Sequence, residues 1–160
     1  MTDSVPGSAR PGGAAIDADL CERIVAQSTE AIVYADRDGL IRVWSPGAAA
    51  LFGFDASEAL GRSLDIIIPE HLRAAHWAAF HRAIAAGRTR HGGQIRTTRA
   101  VHRNGDKLYV DMSFGIVLGA DGRAIGSTAI ARDASARRAL EQALREARAA
   151  HGRGSEAAQR

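Results

Sequence analysis

A strictly alternating run in this 160-residue chain constrains its fold more than any other feature. Every second residue from 108 to 118 is apolar, and the residues between them include a tyrosine, an aspartate and a serine. Because successive side chains of a strand point to opposite faces, this pattern predicts one long strand with a single face on a core. Asn104-Gly105 and Asp121-Gly122 favour tight hairpin turns on either side of it. Residues 94–133 are therefore predicted to form a three-stranded antiparallel meander.

Two shorter strands and several helices are predicted before the meander. Ala31–Asp36 and Leu40–Trp44 are rich in β-forming residues, and the Arg37-Asp38-Gly39 sequence between them predicts a hairpin turn. Capping residues, prolines and glycines predict helical segments at 17–27, at 45–53, from 57 and at about 69–86. This order predicts an α+β fold in which one five-stranded antiparallel sheet carries short helices and one longer helix on one face. A pocket is expected between the longer helix and the strands.

The two ends of the chain differ from its middle in composition. Residues 1–15 are rich in Gly, Pro, Ser and Ala, which predicts a disordered segment before a single domain at 16–134. Residues 135–150 predict an amphipathic helix with leucine and alanine at coiled-coil spacing, followed by a disordered tail at 151–160. The apolar stripes of the first and last helices are too narrow to be stable alone, so we expect a homodimer in which these flanking helices make contact.

The distribution of charge argues against a nucleic-acid partner, although the sequence pI is about 9.7. From Arg132 onward there are seven arginines and four acidic residues, which leaves 14 basic and 14 acidic residues in the first 131. The globular part is therefore neutral, and the surplus lies on a solvated helix face. No apolar run approaches the roughly 20 residues of a membrane helix, and the first 15 residues do not resemble a secretory signal. We therefore expect a cytoplasmic protein that does not contact membranes.

The sequence carries no pattern typical of a catalytic centre. It contains no Walker loop, metalloprotease helix, nucleophile elbow or kinase signature. Cys21 is the only cysteine, so it can form neither an internal disulfide nor a thiolate metal site. We therefore do not expect an enzyme.

Several motifs resemble the PAS family over about residues 20–135. They are Ala-Ile-Val-Tyr-Ala-Asp-Arg-Asp-Gly at 31–39, Ile-Arg-Val-Trp-Ser-Pro-Gly-Ala-Ala-Ala-Leu-Phe-Gly at 41–53, Glu-Ala-Leu-Gly at 58–61 and Ala-Arg-Asp at 131–133. The resemblance implies a PAS fold that binds a small-molecule cofactor or signal. It also implies a sensor or binding module that acts through a downstream signalling protein or an output domain, which the sequence does not name. The region before the long helix does not resemble the cysteine motif of light-sensing PAS relatives, so Cys21 is not expected to bind a flavin.

A narrower resemblance lies in Ile-Pro-Glu-His-Leu-Arg-Ala-Ala-His at 68–76. It is similar to the haem-binding PAS domains of oxygen-sensing histidine kinases and of the direct oxygen-sensor phosphodiesterase. That resemblance implies haem b, with His76 as the proximal iron ligand and Arg96 as a switch residue that contacts bound oxygen or a haem propionate. Gln94 stands where the phosphodiesterase has a methionine ligand, and Met112 and Phe114 stand where the oxygen sensors have aliphatic distal residues. The implied signal is a diatomic gas (O2, CO or NO) or the redox state.

The residues themselves leave several alternatives open. His76 shares a helix face with Leu72, Phe80 and nearby alanines, which fits a haem ligand in the pocket and equally a buried histidine with a hydrogen-bond partner. His81 lies about 140° further around the helix and is the second choice as ligand. Met112 fits a core side chain or a sixth iron ligand.

The arginines are also ambiguous. Arg82 and Arg90 are candidates for bonds to the propionates, and Arg96 for a distal donor beside Gln94. Each could equally be a solvated or ion-paired arginine. Two other functions therefore stay open, a cofactor-free module for dimerisation or protein interaction and a receptor for a small organic ligand.

Overall fold

One antiparallel sheet organises the part of the chain that the computed structural model describes, residues 17–90 and 92–157. Its strands are β1 (Ala31–Asp36), β2 (Ile41–Trp44), β3 (Arg96–Val101), β4 (Lys107–Leu118) and β5 (Ala124–Asp133). In space they follow the order β2-β1-β5-β4-β3, and every neighbouring pair is antiparallel. The predicted α+β class with five antiparallel strands is confirmed.

The helices begin and end largely where capping chemistry predicts. They are α1 (Ala18–Ala26), α2 (Pro46–Phe52), α3 (Ala56–Ala59), α4 (Glu70–Ala86) and α5 (Ser135–Ala157), with a short 3-10 helix at Leu64–Ile66. Asp17 and Ser45 accept backbone N–H groups at the starts of α1 and α2. Gly53 and Gly87 end α2 and α4 in the left-handed conformation. Local sequence signals therefore set most of these boundaries.

Some boundaries differ from the prediction. Strand β3 begins at Arg96, and Gln94 lies before it in irregular backbone, so these two residues do not share a strand as the sequence had suggested. Helix α5 continues to Ala157, past the end predicted at residue 150. The predicted disordered segment 1–15 and the last three residues lie outside the described part of the chain.

The core lies on one face of the sheet, against helices α2 and α4. The paired residues Val33 and Ala129, and Ala131 and Met112, share this inner face. It packs against Phe52 of α2 and Phe80 of α4, which are 0% and 8% exposed. On the opposite, outer face, α5 begins against β4, where Arg138 lies 5.7 Å above the Tyr109 ring. The inner face is thus the one from which a site beside α4 would be built.

The helices also bear on membrane association. No helix in residues 17–90 and 92–157 is long and apolar enough to cross a bilayer.

Candidate functional site

The start of α4 is fixed to the preceding 3-10 helix by one arginine. Arg73 donates from Nε to the Ile68 carbonyl at 3.2 Å and from Nη2 to the Asp65 carbonyl at 3.1 Å. Its guanidinium also lies 3.8 Å from the Asp65 carboxylate. These contacts orient the first turns of α4, which carry His76 towards the interior.

Trp77 connects α4 to the β1–β2 hairpin. Its Nε1 donates to Asp65 Oδ1 at 2.8 Å. Its ring occupies the space above Gly39, where an added Cβ would lie 2.2 Å from the indole. Gly39 also has φ +78°, a conformation that favours glycine. The neighbouring His76 is therefore carried by a helix that is anchored on two sides.

His76 is half-buried between aromatic rings, and its Nδ1 atom is fully buried. Its ring makes an edge contact with Trp77 at 5.0 Å between centroids and stacks on Phe80 at 6.1 Å. Among the described residues, Nδ1 has no hydrogen-bond partner. An unsatisfied buried nitrogen of this kind costs about 1–3 kcal/mol, so the arrangement calls for a partner.

Burial also sets the protonation state of His76. Loss of solvent lowers the pKa of the imidazole below its usual value, the nearby Asp65 carboxylate opposes this, and His81 adds to it. The ring is therefore neutral at pH 7, with a lone pair on one nitrogen. Neutral imidazole is the form that ligates iron and other transition metals.

The register of the sheet brings three of the predicted site residues to the inner face. Arg96 pairs with Met112, and Met112 pairs in turn with the buried Ala131. Phe114 pairs with Ala129 on the same face. Met112 is 6% exposed and belongs to the core, whereas Phe114 is 39% exposed. An arginine donor, a thioether and an aromatic ring therefore lie on one side of adjacent strands.

The inner face of β4 is only partly covered. Beyond Met112, its apolar side chains become more exposed, from Phe114 to Leu118, which is 49% exposed. Leu118 lies beside the end of α4, because a Cβ built at Gly87 would be 3.7 Å from its side chain. An apolar strip of the sheet beside α4 is thus left open, which is unusual for a face that otherwise forms the core.

The other predicted site residues lie apart from this group. Arg82, Arg90 and Gln94 are exposed, and no described contact joins them to His76. His81 is exposed and stacks on the outer part of Trp77, with 5.9 Å between ring centroids. The register therefore places Arg96, Met112 and Phe114 on the inner side of the sheet, the side that α4 covers, but of these three only Met112 is buried in the core with Phe80, whereas Arg96 and Phe114 are exposed.

Two features of the structure were not anticipated from the sequence. Asp65 bonds the tryptophan next to His76 across 12 residues, and no sequence motif signals that pairing. A surface cleft of about 280 Å³ lies where β1 and β5 meet the flanking segments. It is lined by Thr29, Glu30, Gly47, Ala50, Leu51, Ala131, Arg132 and Asp133. This cleft does not include the residues around His76.

The sheet order, the long helix beside an open inner face and the helices at both ends define a small α+β sensor domain. A family model described as the PAS fold matches residues 19–134, and the chain belongs to that family. A curated relative, the oxygen sensor protein DosP of Escherichia coli (strain K12), is 26% identical over 120 residues, which is 75% of this chain. The match spans only 15% of that relative's length.

Solved structures support the fold. A PAS domain from Colwellia psychrerythraea superposes with a TM-score of 0.64 at 19% identity, covering 73% of this chain and 96% of that one. An RNA-binding light-oxygen-voltage receptor gives 0.66 at 21% identity, covering 91% of this chain and 42% of that one. A sensory box histidine kinase/response regulator from Burkholderia thailandensis E264 gives 0.60 at 18% identity, covering 83% and 98%.

Proposed function

We propose that this PAS domain binds haem b through His76 and senses a diatomic gas, O2, CO or NO, or the redox state. The observation that carries the proposal is the His76 ring itself, which is neutral and half-buried and has a buried nitrogen without a hydrogen-bond partner among the described residues. Because Nδ1 is fully buried, iron would bind the other ring nitrogen, and the neutral ring carries the lone pair that such a bond needs.

Aromatic and apolar side chains beside His76 and on the inner face of β4 would suit a flat apolar cofactor. Phe80 stacks on the imidazole, and Phe114 and Leu118 offer exposed apolar surface on the inner face of β4. Haem iron held by one protein ligand would supply an open coordination position for a gas. Arg96, on the same face as Met112, would supply a hydrogen-bond donor there. Arg82 and Arg90 remain candidates for the propionates at the surface.

Met112 is the residue that could supply a second protein ligand to a bound haem. Its thioether lies on the inner face, where a sixth protein ligand would have to come from. It is also a core residue with 6% exposure, so it would ligate only after moving out of its present packing. We infer that Met112 mainly provides apolar packing for the site. Gln94, before β3, would offer a hydrogen-bonding side chain at the edge of the site.

The domain would act within a larger signalling unit. The curated relative is named an oxygen sensor, and it is far longer than the matched segment. We infer a sensor domain at 16–134 that works as a cytoplasmic homodimer and not as an enzyme, and that signals through the helix after residue 134. The receiver is a downstream signalling protein or an output domain.

An absorption spectrum tests the proposal. Protein purified with haem, or mixed with it, should show a Soret band that shifts on reduction and again on addition of carbon monoxide. His76→Ala should lose or weaken haem binding, whereas His81→Ala, on the exposed face of the same helix, should retain it. A wild-type protein that never takes up haem would refute the proposal. A His76→Ala protein with wild-type spectra would move the ligand to His81 or to His91.

The buried Met112 and Val110 favour a second candidate function. They fill the inner face near the centre of the sheet, as a cofactor-free PAS domain would. Such a domain would serve dimerisation or protein interaction, or it would take a small organic ligand along the open strip. Colourless protein that stays colourless after haem addition would support this candidate.

A further inference from the structure

An ionic cluster on the outer face of the sheet connects β3 to the C-terminal helix. Arg137, in the first turn of α5, donates from Nη2 to both oxygens of Asp111 on β4, at 2.8 Å each. The same nitrogen lies 3.3 Å from Thr97 Oγ1 on β3. Thr97 in turn donates to Asp111 Oδ1 at 2.6 Å. One guanidinium thus bonds two adjacent strands at once.

The cluster is charged and continues along α5. The Thr97 hydroxyl, followed by Arg137, holds the pKa of Asp111 below its usual value, so this carboxylate is ionised at neutral pH. From Nη1, Arg137 donates to Glu141, one turn further along the helix, at 2.6 Å. Charge-assisted bonds that share one arginine cost less side-chain entropy than separate pairs. We call Thr97, Asp111 and Arg137 the outer clamp.

The outer clamp lies on the outer face of β3 and β4, the same two strands that carry Arg96 and Met112 on the inner face. Thr97 follows Arg96 in the chain, and side chains of successive strand residues point to opposite faces. A shift of β3 that moves Arg96 on the inner face therefore moves Thr97 on the outer face. Asp111 precedes Met112 in the same way and pairs with Arg132 on β5. Arg132 bonds Glu30, between α1 and β1, at 2.6 Å.

We infer that the outer clamp regulates α5 by transmitting displacement of β3 to the start of that helix, an inference that rests on the proposed sensing role of Arg96. Other contacts join the start of α5 to β4 and to the end of β5: the Ala134 N–H donates to the Tyr109 carbonyl at 2.8 Å, Arg138 lies over the Tyr109 ring, and the Ser135 N–H donates to Asp133 Oδ1 at 2.7 Å. The clamp adds β3. Loss of the clamp should therefore uncouple α5 from β3 and leave α5 attached.

Hydrogen exchange on the full chain tests the coupling. Thr97→Val removes the hydroxyl and keeps a β-branched strand residue, and Arg137→Gln removes the charge. In each variant without cofactor, exchange should become about twofold to fivefold faster both in residues 96–99 and in the first two turns of α5, the change expected for an exposed ion pair. Energetic coupling is reciprocal, so a change made at either end should appear at the other.

Two matched variants serve as controls. Thr128→Val removes an outer-face hydroxyl of β5 that bonds only the Val33 carbonyl, at 3.3 Å, among the described contacts. Arg145→Gln removes an arginine of α5 that pairs with Glu141 at 3.8 Å and lies about two helical turns after Arg137. Both should leave exchange in β3 unchanged. If Arg137→Gln speeds exchange in α5 but leaves β3 unchanged, the clamp does not couple them and the inference is overturned.

A second comparison uses haem-loaded ferrous protein with and without carbon monoxide. The gas should change exchange in α5 of the wild type and of Thr128→Val, and this change should vanish in Thr97→Val and Arg137→Gln. If the change persists in both clamp variants, the inference is overturned while haem sensing stands. If the wild type takes up no haem, the proposed function fails, and the exchange experiment without cofactor still decides whether the clamp couples β3 to α5.

Discussion

Replacing His76 with leucine should stabilise the cofactor-free protein while abolishing haem binding. The wild type buries Nδ1 without a described partner, at a cost of about 1–3 kcal/mol. Leucine removes that cost and keeps most of the apolar contact with Phe80, although its shape costs up to about 1.5 kcal/mol. The net expectation is about 1 kcal/mol of added stability, or a rise in Tm of about 2–4 °C for a chain of this length.

His76→Ala is the matched comparison. Alanine also removes the unsatisfied nitrogen, but it gives up the ring contacts with Trp77 and Phe80 and leaves a cavity beside them. It should therefore be less stable than the leucine variant, while both lose haem. Thermal unfolding of the cofactor-free proteins by circular dichroism measures the order, and haem titration measures the loss of binding.

The pH dependence provides an independent check on the same nitrogen. Burial lowers the pKa of His76 in the folded state below its usual value of 6.5, so the unfolded chain binds more protons once the pH falls below that value. Above about pH 6.5 this pKa difference does not affect the stability, and the folded state loses stability as the pH falls from there towards the lowered pKa. The leucine variant should lose less stability between pH 7 and 5. A leucine variant that is less stable than wild type and shows the same pH profile would refute the argument.

Three further predictions address the distal side, the α4 anchor and the dimer. Arg96→Ala should retain near-normal haem content, because the substitution leaves the iron ligand intact. Its oxygen affinity or autoxidation rate should change. Loss of haem would contradict the proposed place of Arg96 on the distal side. Gly39→Ala should destabilise the fold by about 2–4 kcal/mol in chemical denaturation, because its φ of +78° and the Trp77 ring both oppose a Cβ, and an unchanged midpoint would contradict that packing. Light scattering should show a dimer that weakens when the chain is truncated after Asp133, and a monomer at all concentrations would exclude it.

The sheet could be predicted because its signals are local and agree with one another. The alternation of β4 and the glycine turns on either side specify strand, length and inward face without knowledge of the partners. The first residue of β3 could not be predicted from such local signals. Gly92 and Gly93 both have positive φ, and the chain joins the ladder only at Arg96, opposite Met112. Pairing with a neighbour decides where a strand begins, and sequence alternation alone extends it too far.

The candidate site was predictable only in part, and the reason lies in sequence separation. Helical spacing placed His76 and Phe80 on one face because that geometry is local. The pairing of Arg96 with Met112 depends on the register of two strands, which the Asn104-Gly105 turn sets to within a residue or two. The bond from Trp77 to Asp65 depends on how α4 packs over the hairpin at Gly39, and no local pattern encodes it. The histidine could thus be named from the sequence. The burial of its ring, which lowers its pKa and leaves Nδ1 without a described partner, follows only from the packing of the rings around it.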